Sequence, residues 1–206
     1  MSAGDRTPGG EAQEPVRIGL LGAGTVGGAF RDLIAARTEA IAEITGRRPE
    51  VSGVLRRSEG DFEQILADSE IVIELIGGTD PARDYVLRAL EAGRHVVSAN
   101  KQLIAQHGDE LFEAARAAGV QLRFEAAVAG VVPVIRVIQE SLAATEITKV
   151  FGIVNGTTNF ILSEMASTGA AYESVLERAQ ELGYAEADPT DDVNGADAAA
   201  KMAILA

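Results

Sequence analysis

Gly22, Ala23, Gly24, Thr25, Val26 and Gly27 spell G-x-G-x-x-G, and the string stands between two segments of different hydrophobic period. Before it, Val16, Ile18, Leu20 and Leu21 make a short apolar strand. After it, Val26, Phe30, Leu33 and Ile34 recur at helical spacing, and Ile41 and Ile44 continue the face. Strand, glycine turn and helix in that order ask three things of the backbone: a tight turn, open approach for a phosphate, and close packing where helix meets strand. A helix opening at the turn aims unpaired N–H groups and the positive end of its dipole at a ligand. Dinucleotide binding is the reading of this segment, with a glycine-rich structural turn as its alternative.

The rest of the chain repeats the alternation. Glu50 to Leu55 predicts a second strand, followed by a charged loop, Arg56 to Gly60, and a short helix from Phe62 to Ala67. Ile71 to Ile76 is a third strand, interrupted by one acid, Glu74. Thr79 or Asp80 is expected to cap the next helix, with Pro81 at its first position and Gly93 as its stop. His95 to Ser98, a helix from Asp109 to Ala118, and Val120 to Phe124 follow. Strands alternating with helices imply an α/β fold, a doubly wound parallel sheet of the Rossmann type. After Glu125 the pattern changes to an Ala/Val-rich turn and an apolar helix through about Leu142. Ile147 to Val154 reads as a strand, Asn155 to Asn159 as a turn opening a helix from Phe160 to Ala166, and Tyr172 to Leu182 as a helix. An acidic loop, Ala185 to Asn194, precedes a last helix. The expected organisation is a disordered tail over residues 1–15, a nucleotide-binding domain over 16–130, and a second region over 131–206. The chain is read as incomplete because the apolar run Met202 to Ala206 stops without a cap.

Composition removes several function classes. A net charge of −13 repels phosphate backbones and anionic lipid surfaces, so nucleic acid and membranes are not expected partners. No uninterrupted apolar stretch reaches about 18 residues, and the first 14 residues carry no basic patch followed by an apolar run, which predicts a cytoplasmic protein. The chain has no cysteine, so thiolate metal sites and sulfur nucleophiles are absent.

The remaining candidates are polar residues at element ends. An acid at the end of the second strand would take the ribose hydroxyls of NAD, but this chain has Arg56-Arg57-Ser58 there, cations suited to the 2′-phosphate of NADP. Glu59 beside them keeps NAD use open, and a solvated basic turn is the plainer reading. Lys101 follows the fourth strand, at the carboxyl edge where open α/β sheets bind ligands. Asp197 and Lys201 stand one helical turn apart: either an exposed ion pair, or an acid and a base that, with the acidic loop of Glu186, Asp188, Asp191 and Asp192, hold a substrate ammonium and deliver a proton. Asn155-Gly156-Thr157-Thr158-Asn159 offers N–H groups and hydroxyls to a substrate carboxylate, or serves only as a cap. Glu125 to Val132 can surround a monovalent cation with carbonyls and one carboxylate, or is a packed turn.

Taken together, GLLGAGTVG at 19–27, ELIGGTDPA at 74–82, HVVSANK at 95–101, EAAVAGVVP at 125–133, NGTTNFIL at 155–162 and GYAEADPTDDVNGADAAAK at 183–201 resemble homoserine dehydrogenase. The resemblance runs from Val16 to the last residue. It implies NADP-preferring interconversion of L-homoserine and L-aspartate 4-semialdehyde, with NAD also possible, on the way to threonine, methionine and isoleucine. It further implies Lys201 as proton donor, Lys101 shared by cofactor and substrate, and Glu186, Asp197, Gly156, Thr157 and Asp192 as substrate-binding. Gly22, Ala23, Gly24, Thr25, Val26, Gly27, Arg56, Thr79 and Ser98 are the implied cofactor contacts. Glu125, Val128, Gly130 and Val132 are the implied ligands of a monovalent cation such as sodium, although Val131 stands where many members have a small residue. The resemblance also implies that residues 131–206 are an incomplete α+β substrate and dimerisation domain, whose further strands lie beyond Lys201, and that a chain with the full domain forms a homodimer. Hydride transfer to an aldehyde needs no thiol, so the missing cysteine is consistent with this family and argues strongly against aspartate-semialdehyde dehydrogenase, which needs one. Two rivals remain: an NADP-binding module without turnover, and a related oxidoreductase acting on sugars or cyclitols.

Overall fold

The computed structural model describes residues 14–206, so the expected tail lies, but for its last two residues, outside the described residues. Five strands form one sheet: β1 (Pro15–Leu21), β2 (Arg48–Leu55), β3 (Ile71–Glu74), β4 (His95–Ser98) and β5 (Leu122–Arg123). Their spatial order is β2-β1-β3-β4-β5 and every neighbouring pair is parallel. Leu20 and Leu21 are adjacent in sequence and so point to opposite faces, yet both are fully buried. A sheet with both faces covered gives this pattern. Ile18, Leu20 and Ile73 centre one core cluster, with Phe30, Val51 and Val97 packed on it.

The helices are α1 (Thr25–Thr45), α2 (Phe62–Asp68), α3 (Ala82–Glu91), α4 (Lys101–Ala118), α5 (Val134–Arg136), α6 (Gly156–Thr168), α7 (Tyr172–Glu181), α8 (Thr190–Val193) and α9 (Ala196–Leu205). Two compact units result. Among the described residues, the first holds those up to Ser98 together with Asp109–Arg123, and the second holds Ala99–Gly108 together with Phe124–Ala206. Within the first, the chain steps from β1 to β2 on one side and returns to β3 on the other. The carboxyl ends of β1 and β3 therefore border the switch point where open sheets of this order bind ligands.

Several expectations need correction. Thr79 and Asp80 do not cap α3 through their side chains; Pro81 is the N-cap, and Thr79 contributes only its backbone oxygen, accepting from Arg83 N–H at 2.8 Å. The helix expected from Asp109 starts at Lys101, because the Asn100 carboxamide oxygen accepts from Leu103 N–H at 3.1 Å and Leu103 and Ile104 are buried, while Gly108 is tolerated inside. The apolar helix to Leu142 is a single α turn, α5, followed by a π turn over Val137–Ser141. Ile147 to Val154 is not a strand: its apolar alternation is present, but no strand of the described residues lies beside it to complete a hydrogen-bond ladder. The second unit has a small core of its own, Ile161, Val175, Ala179 and Ala185, with Phe160, Met165 and Leu176 packed against it.

Candidate functional site

In the first unit a cavity of about 810 Å³ lies over the switch point. Gly22 to Gly24 border it from β1, Leu55 to Gly60 from β2, and Leu75 to Gly77 from β3. The three glycines of the fingerprint have separate jobs. A Cβ on Gly22, which has φ +98°, would stand 2.6 Å from the Leu75 carbonyl oxygen, and one on Gly27 would stand 2.1 Å from the Gly22 oxygen. These two allow the turn and the helix to close on the strands. Gly24 has open space where a Cβ would be, which is the clearance a pyrophosphate needs. Gly24 is also the N-cap of α1, with no side-chain capping bond and no acid in the first turn. Thr25 and Val26 are exposed in that first turn, and Gly27 is buried. The N-terminus of this 21-residue helix thus offers N–H groups and positive dipole to an anion.

At the β2 end, Arg56 and Glu59 pair through main chain and side chain, with Arg57 and Ser58 between them at the cavity edge. Thr79 is half-buried beside Asp80 and Pro81, which line the cavity. Ser98 is fully buried, and its hydroxyl donates to the Glu74 carboxylate at 2.6 Å. Glu74 itself is fully buried at the end of β3, and its other oxygen accepts from Ile76 N–H at 2.7 Å. This acid was visible in the sequence only as an interruption of an apolar strand. A charged residue inside a buried strand is the signal that marks it as holding the turn beyond.

The second unit gathers its charges around Asp197, which is 4% exposed. One carboxylate oxygen accepts from the Lys101 ammonium, and the other accepts from Lys201 Nζ at 2.7 Å and from Asn155 Nδ2 at 2.9 Å. Burial pushes the Asp197 carboxyl up, but hydrogen bonds from Lys101, Lys201 and Asn155 and the Lys201 charge outweigh it and hold the group down at about 2. Lys201 donates a further bond to the Val154 carbonyl at 2.7 Å, which fixes the direction of its ammonium. Asn155 Nδ2 also donates to Asp192 at 2.7 Å, and its oxygen caps α6 by accepting from Thr158 N–H at 2.8 Å. The Thr157 hydroxyl lies 2.9 Å from Asp192 and 2.7 Å from the Tyr184 carbonyl, so its one proton serves either. Lys101, Asn155, Thr157, Asp192, Asp197 and Lys201 are thus one connected cluster. Gly156 stands exposed at the start of α6, and Glu186 is exposed on the acidic loop, where its backbone oxygen accepts from the Gln180 side chain at 3.1 Å. Asn155 is the member whose importance sequence reasoning missed; its place immediately before a helix marked it only as a cap.

Glu125 accepts from Ile135 N–H at 3.1 Å and Arg136 N–H at 3.0 Å, so its carboxylate fastens the start of α5. Between them the backbone curls through Ala129 (φ 59°) and Gly130 (φ 47°), with Val128 buried and Val132 half exposed at 59%. Val131 is 99% exposed, so its bulk does not press on the curl.

The family model for the homoserine dehydrogenase NAD-binding domain matches residues 22–125, and the model for homoserine dehydrogenase matches residues 133–206. The chain belongs to the homoserine dehydrogenase family. A homoserine dehydrogenase of Pseudomonas aeruginosa is 48% identical over 207 residues, covering 94% of this chain and 48% of that protein. Among solved structures, the homoserine dehydrogenase of Thiobacillus denitrificans superposes with a TM-score of 0.87 at 45% identity, over 93% of this chain and 48% of the other. A hyperthermophilic archaeal homoserine dehydrogenase in complex with NADPH superposes with a TM-score of 0.82 at 27% identity, over 93% and 68%. The chain spans about half the length of the curated relatives it matches. The match to the NAD-binding domain model takes in the glycine turn and the β2 and β3 ends that border the cavity. No helix of the described residues is long and apolar enough to cross a membrane.

Proposed function

We propose that this chain carries the cofactor domain and part of the catalytic domain of an NADP-preferring homoserine dehydrogenase. Its reaction interconverts L-homoserine and L-aspartate 4-semialdehyde in threonine, methionine and isoleucine biosynthesis. The observation that carries the reading is the Lys201 ammonium, directed by the Val154 carbonyl and the Asp197 carboxylate. Such a group stabilises an alkoxide and delivers a proton to it. A bound nicotinamide would supply or take up the hydride. Gly22 to Gly27 and the first turn of α1 hold the pyrophosphate, Arg56 with Arg57 takes the 2′-phosphate, and Thr79 and Ser98 complete the cofactor contacts. Lys101 serves cofactor and substrate. Gly156 and Thr157 receive the substrate carboxylate, while Glu186, Asp192 and Asp197 hold its ammonium.

Glu125 and the carbonyls of Val128, Gly130 and Val132 form a seat for a monovalent cation such as sodium. The curl at Ala129 and Gly130, and the lone pairs left on a carboxylate that accepts two N–H bonds, suit that role. With the rest of the catalytic region the enzyme acts as a cytoplasmic homodimer.

Cofactor binding without turnover is a second reading, favoured by the exposure of Phe151 (85%) and Ile153 (76%) on the segment that leads into the cluster. One assay separates them: NADPH formation from NADP and L-homoserine at mildly alkaline pH, with NADPH binding followed alongside. Homoserine-dependent turnover supports the enzyme reading; NADPH binding without turnover supports the second, and loss of both overturns the two together.

A further inference from the structure

Beyond β2 the chain makes a two-residue hairpin. Arg56 N–H donates to the Glu59 carbonyl at 2.8 Å, Glu59 N–H donates to the Arg56 carbonyl at 3.4 Å, and Arg57 and Ser58 occupy the tip. The same two residues pair again through their side chains, with Arg56 Nη1 2.9 Å from Glu59 Oε2. All four residues border the cavity that Gly22 and Gly24 open. The hairpin therefore presents two opposite chemistries at one place. A guanidinium matches a phosphate dianion through two parallel N–H bonds, while a carboxylate accepts bonds from a ribose diol and repels a phosphate. Glu59 already holds Nη1 of Arg56, so the guanidinium meets a 2′-phosphate either by releasing that carboxylate or through its remaining N–H groups with the carboxylate kept close by, and in both cases a negative charge stands beside the incoming dianion.

Resting on the reading of this cavity as the NAD(P) site, we propose that Glu59 sets the choice between NADPH and NADH by holding Arg56. It lowers affinity for the 2′-phosphorylated cofactor and supports the diol form, which makes the hairpin a balance rather than a pure phosphate clamp. Both residues are exposed, so water screens their charges and the effect belongs to the few-fold range of surface electrostatics.

Dissociation constants of NADPH and NADH for the full chain test this. The fluorescence of the reduced nicotinamide reads them directly, because it is excited at wavelengths where protein side chains do not absorb. Glu59→Gln is expected to move the NADPH-to-NADH affinity ratio about threefold to fivefold towards NADPH, with a larger shift at low salt. In an Arg56→Ala background the same substitution is expected to move it less than half as far on a logarithmic scale. A ratio unchanged within twofold while both cofactors still bind overturns the role of Glu59. A shift undiminished by Arg56→Ala overturns the part played by Arg56. If the unaltered chain binds neither cofactor, the nucleotide reading of the cavity fails first, and the proposal with it.

Discussion

At the scale of single residues the charged cluster of the second unit turns on Asp197. Its folded carboxyl titrates near 2, against an ordinary value of 3.8, because two ammonium groups and an amide offset its burial. A group depressed on folding contributes stability that is fully present above its unfolded value and lost as pH falls through its folded one. Unfolding followed by circular dichroism should therefore show this contribution constant above about pH 5 and lost between about pH 4 and pH 2, and Asp197→Asn should remove that acid-side slope. The same substitution should cost roughly 1–3 kcal/mol in denaturant titrations at neutral pH, since Lys101 and Lys201 lose a shared acceptor. For Lys201, replacement by alanine should lower kcat by roughly 10²–10⁴-fold in an active holoenzyme while NADPH binding stays at its original value. Turnover at the original rate would remove its assignment as proton donor. Asp197 and Lys201 were legible in the sequence as a pair one turn apart, but Lys101 and Asn155 as their partners were not. Their contacts span 96 and 42 residues of chain, and no local pattern encodes a meeting at that distance.

At the scale of elements, the strand–turn–helix around the glycines was legible because each part has a local cause: period two, a φ that only glycine tolerates readily, and period 3.6. Gly27→Ala tests it. The added methyl would overlap the Gly22 carbonyl, so the turn must shift, and NADPH affinity should fall at least tenfold, which isothermal titration would measure. Unaltered affinity would show that the turn does not seat the cofactor. Errors in element boundaries came where tertiary contacts decide. The apolar alternation from Ile147 to Val154 asked for a strand, and alternation is necessary for a half-buried strand but insufficient without a neighbour. The early start of α4 came from the Asn100 cap, which the strand–loop transition after Ser98 disguised. Glu74→Gln addresses a third element, the turn beyond β3. Exchanging one acceptor oxygen for an amide donor sets it against Ile76 N–H or forces the buried Ser98 hydroxyl from donor to acceptor, and should lower stability in denaturant titrations by about 1–3 kcal/mol.

Across the whole molecule, stability is unevenly shared between the segments. Amides of β1 and β3 sit in ladders inside a sheet buried on both faces, while residues 141–153 are exposed throughout. Hydrogen exchange should therefore find the slowest amides in β1 and β3 and fast exchange over 141–153. NADPH at about 100 times its dissociation constant should add about 2.7 kcal/mol to the unit that binds it. Slow exchange throughout 141–153 would mean that this segment has a backbone partner, such as a second copy of the chain.

The carboxamide of Asn155 imposes a different kind of constraint. Its oxygen starts a helix and its nitrogen bridges two carboxylates, so a single planar group assigns acceptor to one side and donor to the other. Aspartate has the same outline and would still cap the helix, yet it would set a third negative charge against Asp192 and Asp197. Shape and polarity can thus be satisfied together by only one side chain at this position, and drift at Asp192 or Asp197 is tied to what stands at the start of a helix some forty residues away.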